Sequence, residues 1–164
     1  MPVLQIVSSQ PLAGKSTVAV ALAQGFARAG ARVQLVRAGT GAAAEVDAAT
    51  FATYLFASTP GRPVDALTSP AAGANEAVVV EADAGSVLWG LPAIVVVRGH
   101  PSETDVELAR SLDDRLVGTI ATRIVAPQTE SVARELTNSD MRPLALLPED
   151  RALAAPSVEE LRSA

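Results

Sequence analysis

The stretch Ser8-Ser9-Gln10-Pro11-Leu12-Ala13-Gly14-Lys15-Ser16-Thr17 decides how the rest of the chain is read. It follows a short apolar run and precedes an alanine-rich one. Its second half has the parts of a phosphate-binding loop: a glycine, a lysine able to reach the outer phosphates, and a hydroxyl able to hold magnesium. Backbone N–H groups curled round phosphate oxygens, above a helix start, complete that chemistry. The first half departs from the pattern, because Ser9 stands where the first glycine would be. Serine restricts φ at that bend. The loop tolerates it if Ser9 keeps a right-handed or extended backbone. Pro11 rigidifies the loop and removes one N–H. A lysine at a helix start opposes the helix dipole, and a bound anion would remove that conflict.

The flanks supply the context the motif needs. Val3 to Val7 is branched and apolar, the pattern of a buried strand. Thr17 to Ala29 reads as a helix, with Val18, Leu22 and Phe26 four residues apart and Gly30 as its stop. Arg32 to Arg37 reads as a second strand, which makes a βαβ unit.

Further on, Gly39 to Ala44 reads as a loop and Ala48 to Ala57 as a helix introduced by Asp47. Pro60, Gly61 and Pro63 break the chain, and Ser69 to Ala77 is a weak helix or a loop. Ala77 to Glu81 and Ala93 to Arg98 are strands, and Ser102-Glu-Thr-Asp105 opens a helix ending near Leu112 or Leu116. Leu116 to Val125 holds a strand interrupted in pattern by Gly118. Gln128 to Thr137 is a helix, and Leu144 to Leu147 a short strand ending at Pro148. Ser157, with Glu160 three positions on, caps a last helix to Ser163. Unbroken Val/Ile strands alternating with helices predict an α/β fold, a mainly parallel sheet with helices on both faces. Without a linker or an internal repeat, residues 1–164 read as one nucleotide-binding domain.

Composition narrows the function. Apolar residues at 49% argue against disorder, and aromatics at 3% leave the core to Ala, Val, Leu and Ile. A net charge of −5 with no basic block argues against a nucleic-acid partner. The absence of cysteine excludes disulfides and thiolate chemistry. Short apolar runs and no basic N-terminal region predict a cytoplasmic protein without a membrane partner.

In doubly wound folds ligands lie beyond the carboxyl ends of the strands, where Arg37, Glu81, Arg98 and Thr122 fall. A carboxylate at Glu81 can bind magnesium or orient a nucleophile, or it can serve as a cap or a solvated turn. Asp83 has the same choice. Asp47 is either a second metal-side acid or a plain helix cap. Arg37 faces either an anionic ligand or solvent. His100 has no evident partner and reads as a surface residue.

Together these segments resemble the dethiobiotin-synthetase-like P-loop ATPases, a group that includes cobyrinic acid a,c-diamide synthase and the N-terminal domain of long phosphotransacetylases. The resemblance runs over nearly the whole chain. It rests on the loop from Ser8 to Ser16, Arg37-Ala38-Gly39 after the second strand, and Val80-Glu81-Ala82-Asp83-Ala84-Gly85. It also rests on Gly118-Thr119-Ile120-Ala121-Thr122-Arg123 and on the closing Leu144-Ala-Leu-Leu-Pro148-Glu149-Asp150. It implies the P-loop NTPase fold, with ATP and Mg2+ as cofactors. Leu12, Ala13, Gly14, Lys15, Ser16 and Thr17 would cradle the phosphates, with Thr122, Pro148 and Glu149 near the base. Lys15, Glu81 and Arg37 would be the catalytic residues, and Ser16, Glu81 and Asp47 the metal side. It further implies a homodimer and a small carboxylate substrate. Four departures stand out: Gln10 replaces the loop acid of the group, Ala82 a glycine after the key glutamate, Thr122 an asparagine, and the segment 39–75 is short. An ATP-hydrolysing enzyme is therefore weighed against a non-catalytic regulatory nucleotide-binding module that acts through a protein partner.

Overall fold

The computed structural model describes residues 3–38 and 76–149. The loop and helix expected between Gly39 and Ala57, the segment from Ser69 to Asn75, Asp47 and the helix from Ser157 lie outside them. The described elements are β1 (Val3–Ser8), α1 (Lys15–Arg28), β2 (Arg32–Arg37), β3 (Glu76–Asp83) and β4 (Ala93–Arg98). They continue with α2 (Glu103–Leu112), β5 (Leu116–Ile124), α3 (Thr129–Asn138) and β6 (Pro143–Pro148).

The six described strands form one sheet in the order β2-β3-β1-β4-β5-β6. Every pairing in it is parallel. The central strands β1, β3 and β4 are buried on both faces over most of their length, which is why they read as continuous apolar runs. Ile6, Val79, Ile94 and Val96 pack with Val18, Ala19 and Ala23 of α1. Val7, Val80, Val95 and Ala121 pack with Leu108, Leu112, Val132 and Leu136 of α2 and α3. Each buried Val, Leu or Ile among them contributes about 1.5–3 kcal/mol of transfer free energy. This is the α/β P-loop NTPase fold, with β1 between β3 and β4 as the chain winds first one way and then the other.

Several boundaries differ from the expected ones. Helix α1 starts at Lys15, two residues early, because Gly14 with φ 88° turns the chain directly into it. Strand β3 does not stop at Glu81 but runs on to Asp83, paired residue for residue with β1 to Ser8. Helix α2 is closed at its start by a reciprocal cap between Ser102 and Asp105. Gln5 is a polar residue wholly buried in β1. Its amide binds the carbonyls of Leu88 and Leu91 and the N–H of Leu88, which anchors the β3–β4 connection.

Gly118, the break in the β5 pattern, marks a close approach to β6. A Cβ there would lie 2.6 Å from Leu144 Cγ and 2.8 Å from the carbonyl oxygen of Arg142. The same carbonyl accepts from Thr119 N at 2.7 Å, so it cannot retreat without loosening the pairing. Gly118→Ala is therefore expected to destabilise the fold by about 1–3 kcal/mol, the range for overpacking. Thermal unfolding should then fall by roughly 2–10 °C. An unchanged melting temperature would contradict this packing.

Candidate functional site

The loop from Ser9 to Gly14 joins β1 to α1 at the middle of the sheet, where ligands sit in doubly wound folds. Ser9 is not among the residues with positive φ, so its side chain costs the bend nothing. The left-handed turns fall instead at Leu12, φ 56°, and Gly14, φ 88°. A left-handed leucine costs roughly 1–2 kcal/mol, and Leu12 holds it at the loop tip, 73% exposed. Ala13 and Lys15 are buried behind it.

The back of the loop is clamped from β5. Thr122 Oγ1 lies 2.6 Å from the carbonyl of Ala13 and 3.3 Å from that of Val97. Its one proton goes chiefly to the nearer oxygen. The methyl of Thr122 sits 3.5 Å from where a Cβ on Gly14 would be. The Thr122 side chain is thus turned to the loop backbone. Pro148 and Glu149 lie at the carboxyl end of β6, both exposed. The N–H of Glu149 binds the carbonyl of Ile124 at 2.9 Å.

Charged side chains from three elements meet beside the loop. Glu81 is 2% exposed and accepts from Ser16 Oγ at 3.0 Å. Lys15 Nζ is 3.0 Å from Asp83 Oδ1. Arg37 is nearly buried, with Nη2 at 2.5 Å from Asp83 Oδ2 and Nη1 at 4.0 Å from Glu81 Oε1. Strand register explains the gathering. Arg37 pairs with Glu81 across β2 and β3, and Glu81 and Asp83 are two residues apart, so both point to the α1 face. Arg37 thus faces carboxylates rather than solvent. Asp83 occupies the anion position that the lysine at the start of α1 calls for. Arg98, at the end of β4, is exposed. His100 has a partner after all, since its Nδ1 pairs with Glu135 of α3.

Burial by itself would raise the Asp83 carboxyl, but the hydrogen bonds and charges of Lys15 and Arg37 outweigh it and hold it below 3.8. A carboxyl whose folded value is lowered stabilises the fold above its unfolded value and loses that contribution as pH falls through the folded one. The window is therefore acidic, below about pH 4. Asp83 is more than half exposed, and solvent screening limits the effect to roughly 1 kcal/mol or less. Asp83→Asn should flatten the acid limb of stability, read from urea unfolding between about pH 2 and pH 5. An unaltered limb would count against the Lys15–Asp83–Arg37 linkage.

The donor set suits magnesium better than a transition metal. Magnesium keeps several waters and takes one or two carboxylates plus phosphate oxygens. A serine hydroxyl beside a buried carboxylate is such a hard-oxygen set. Among the described residues no group of three or more His, Cys, Asp or Glu side chains could hold a metal.

A feature the sequence did not disclose lies at the front of the loop. Ser9 and Gln10 are bonded to the start of α2 through Asp105, a fully buried carboxylate. The only local signal was the Ser102-x-x-Asp105 spacing, which reads as a helix cap and nothing more.

The chain is similar in structure to a MinC:MinD cell division protein complex from Aquifex aeolicus, with a TM-score of 0.64 and 15% identity over 94% of this chain and 84% of that one. It is also similar to the signal recognition particle receptor FtsY from Elizabethkingia anophelis, with a TM-score of 0.60 and 16% identity. That likeness covers 87% of this chain and 56% of that one. At such identities the likenesses concern the fold. No family model and no curated protein matches the chain. Among the described residues no helix is long and apolar enough to cross a membrane.

Proposed function

We propose that the chain binds ATP with magnesium and hydrolyses it, as a member of the dethiobiotin-synthetase-like group acting on a small carboxylate. The observation that carries the nucleotide reading is the joint placement of Gly14, Lys15 and Ser16 at the start of α1, with Ser16 Oγ 3.0 Å from buried Glu81. In this reading the amides from Leu12 to Thr17 cradle phosphate oxygens, and Lys15 leaves Asp83 to neutralise the outer ones. Ser16 and Glu81 hold the metal side, with Asp47 as a further acid. When bound, magnesium supplies charge neutralisation at the phosphates. Arg37, already held by two carboxylates of β3, is placed to meet an anionic ligand once Asp83 is displaced. Thr122 fixes the loop that must meet the nucleotide, and Pro148 and Glu149 stand at the rim as candidates for base contact. An association of two copies, in the cytoplasm, belongs to the same reading.

A regulatory module with little turnover is the second reading. Gln10 stands in place of the loop acid, and its amide is committed to Ser102 and Asp105 rather than to the charged cluster. The MinC:MinD likeness, to a protein captured with a partner, suits it too. Calorimetric titration with ATP, ADP and GTP, with and without magnesium, followed by phosphate release, separates the readings. Magnesium-enhanced ATP binding with turnover supports the enzyme. Binding without turnover supports the module, and no binding of any nucleotide overturns both.

A further inference from the structure

The front half of the phosphate loop is held by one buried carboxylate from a distant part of the chain. Asp105 Oδ1 accepts from Ser9 Oγ at 2.5 Å. Its Oδ2 accepts from Ser102 N at 2.9 Å, Ser102 Oγ at 2.7 Å and Gln10 Nε2 at 3.2 Å. The Gln10 amide also donates to Ser102 Oγ at 2.9 Å. A helix cap needs only the Oδ2 side of this arrangement. Oδ1 is turned to the loop, and Ser9 is the residue that fills the place of a glycine. A bare glycine could not make this bond, because it has no side chain.

We infer that Asp105 is a positioning residue of the phosphate loop, acting through Ser9 and Gln10 to hold the front of the cradle in its binding conformation. The inference rests on the nucleotide reading and goes beyond it. Asp105 touches no reacting atom. It sets where the loop amides stand before ligand arrives, and so lowers the ordering cost of binding. It also ties the loop to the start of α2, so that the β4–α2 connection and the phosphate site move as one body. The partners lie next to each other because β1 and β4 are neighbours in the sheet, and the segments leaving their carboxyl ends emerge together.

Five proteins test it: the unmodified chain, Ser9→Ala, Asp105→Ala, the double variant, and Asp105→Asn as the conservative rescue. Ser9→Ala removes the loop tie and leaves the helix cap intact, so it carries the test even if Asp105→Ala does not fold. The affinity for ATP and the amide hydrogen exchange of residues 9–14 in nucleotide-free protein are read together. Ser9→Ala should weaken binding about fivefold and Asp105→Ala about tenfold or more, within the range of a lost charge-assisted hydrogen bond. The double variant should be no weaker than Asp105→Ala, because both remove one linkage. Asp105→Asn should recover part of the loss, since its amide can donate to Ser9 Oγ. Loop amides should exchange faster in Ser9→Ala. Affinities within twofold of the unmodified chain, or losses that multiply in the double variant, would overturn the inference. If the unmodified chain binds no nucleotide, the proposed function fails, and the exchange readout then judges the tie alone. Unchanged exchange in Ser9→Ala rejects it.

Discussion

Lys15→Ala is expected to weaken ATP binding about 10- to 100-fold while leaving the fold in place. One charge-assisted hydrogen bond contributes roughly 1.5–3 kcal/mol, and each 1.4 kcal/mol is tenfold in affinity. Lys15 is 7% exposed, so water screens its contact less than on an open surface. The folding cost should be small. Its partner Asp83 is 55% exposed, and pairs of that kind contribute about 0–1 kcal/mol. The remaining loop amides and the start of α1 still attract phosphate, so residual binding is expected. The measurement is calorimetric titration beside thermal melting. A folded Lys15→Ala variant with undiminished affinity would sink the phosphate assignment. The Lys15–Asp83 contact adds a corollary: nucleotide must compete with an internal carboxylate, so Asp83→Asn should bind ATP more tightly than the unmodified chain.

Glu81→Gln is the second large effect. The substitution preserves shape and the acceptor for Ser16 Oγ, but removes the negative charge beside that hydroxyl. Magnesium at hard-oxygen sites depends on carboxylate charge. The gain in ATP affinity on adding magnesium should therefore largely disappear, while metal-free affinity stays within about threefold. Any turnover should fall with it, as transition-state charge at the phosphates loses its counterion. Paired titrations with magnesium and with a chelator decide the matter. Full magnesium enhancement in Glu81→Gln would remove Glu81 from the metal side. Arg37 complicates only the stability readout, because it loses an ionic neighbour at 4.0 Å and keeps Asp83.

Much of this was legible in the residues. Glycine, lysine and serine between an apolar run and a helical one locate the loop, because that chemistry depends on a contiguous backbone turn. Glu81 was legible as a charge closing the apolar part of a strand. Its neighbour Asp83 was half legible: the apolar pattern ends at Val80, yet pairing to β1 carries the strand to Asp83. Backbone hydrogen bonding, not side-chain pattern, sets where β3 stops. Gly118 was visible as a break, but not as a contact, since Arg142 and Leu144 come from another strand. His100 looked partnerless because Glu135 lies on a helix well downstream.

The residues alone told which runs are strands and which are helices, though not that α1 begins at Lys15 rather than Thr17. Those properties follow from side-chain periodicity and short-range turns. Strand order was a tertiary decision. All the central strands are buried on both faces and nearly alike, so no local pattern says that β1 lies between β3 and β4. That placement brings Glu81 and Asp83 to one side of the loop and Asp105 to the other. The conformation of SSQPLAGKST is thus held from outside it: Thr122 of β5 grips its back at Ala13, and a carboxylate 96 positions away from Ser9 grips its front.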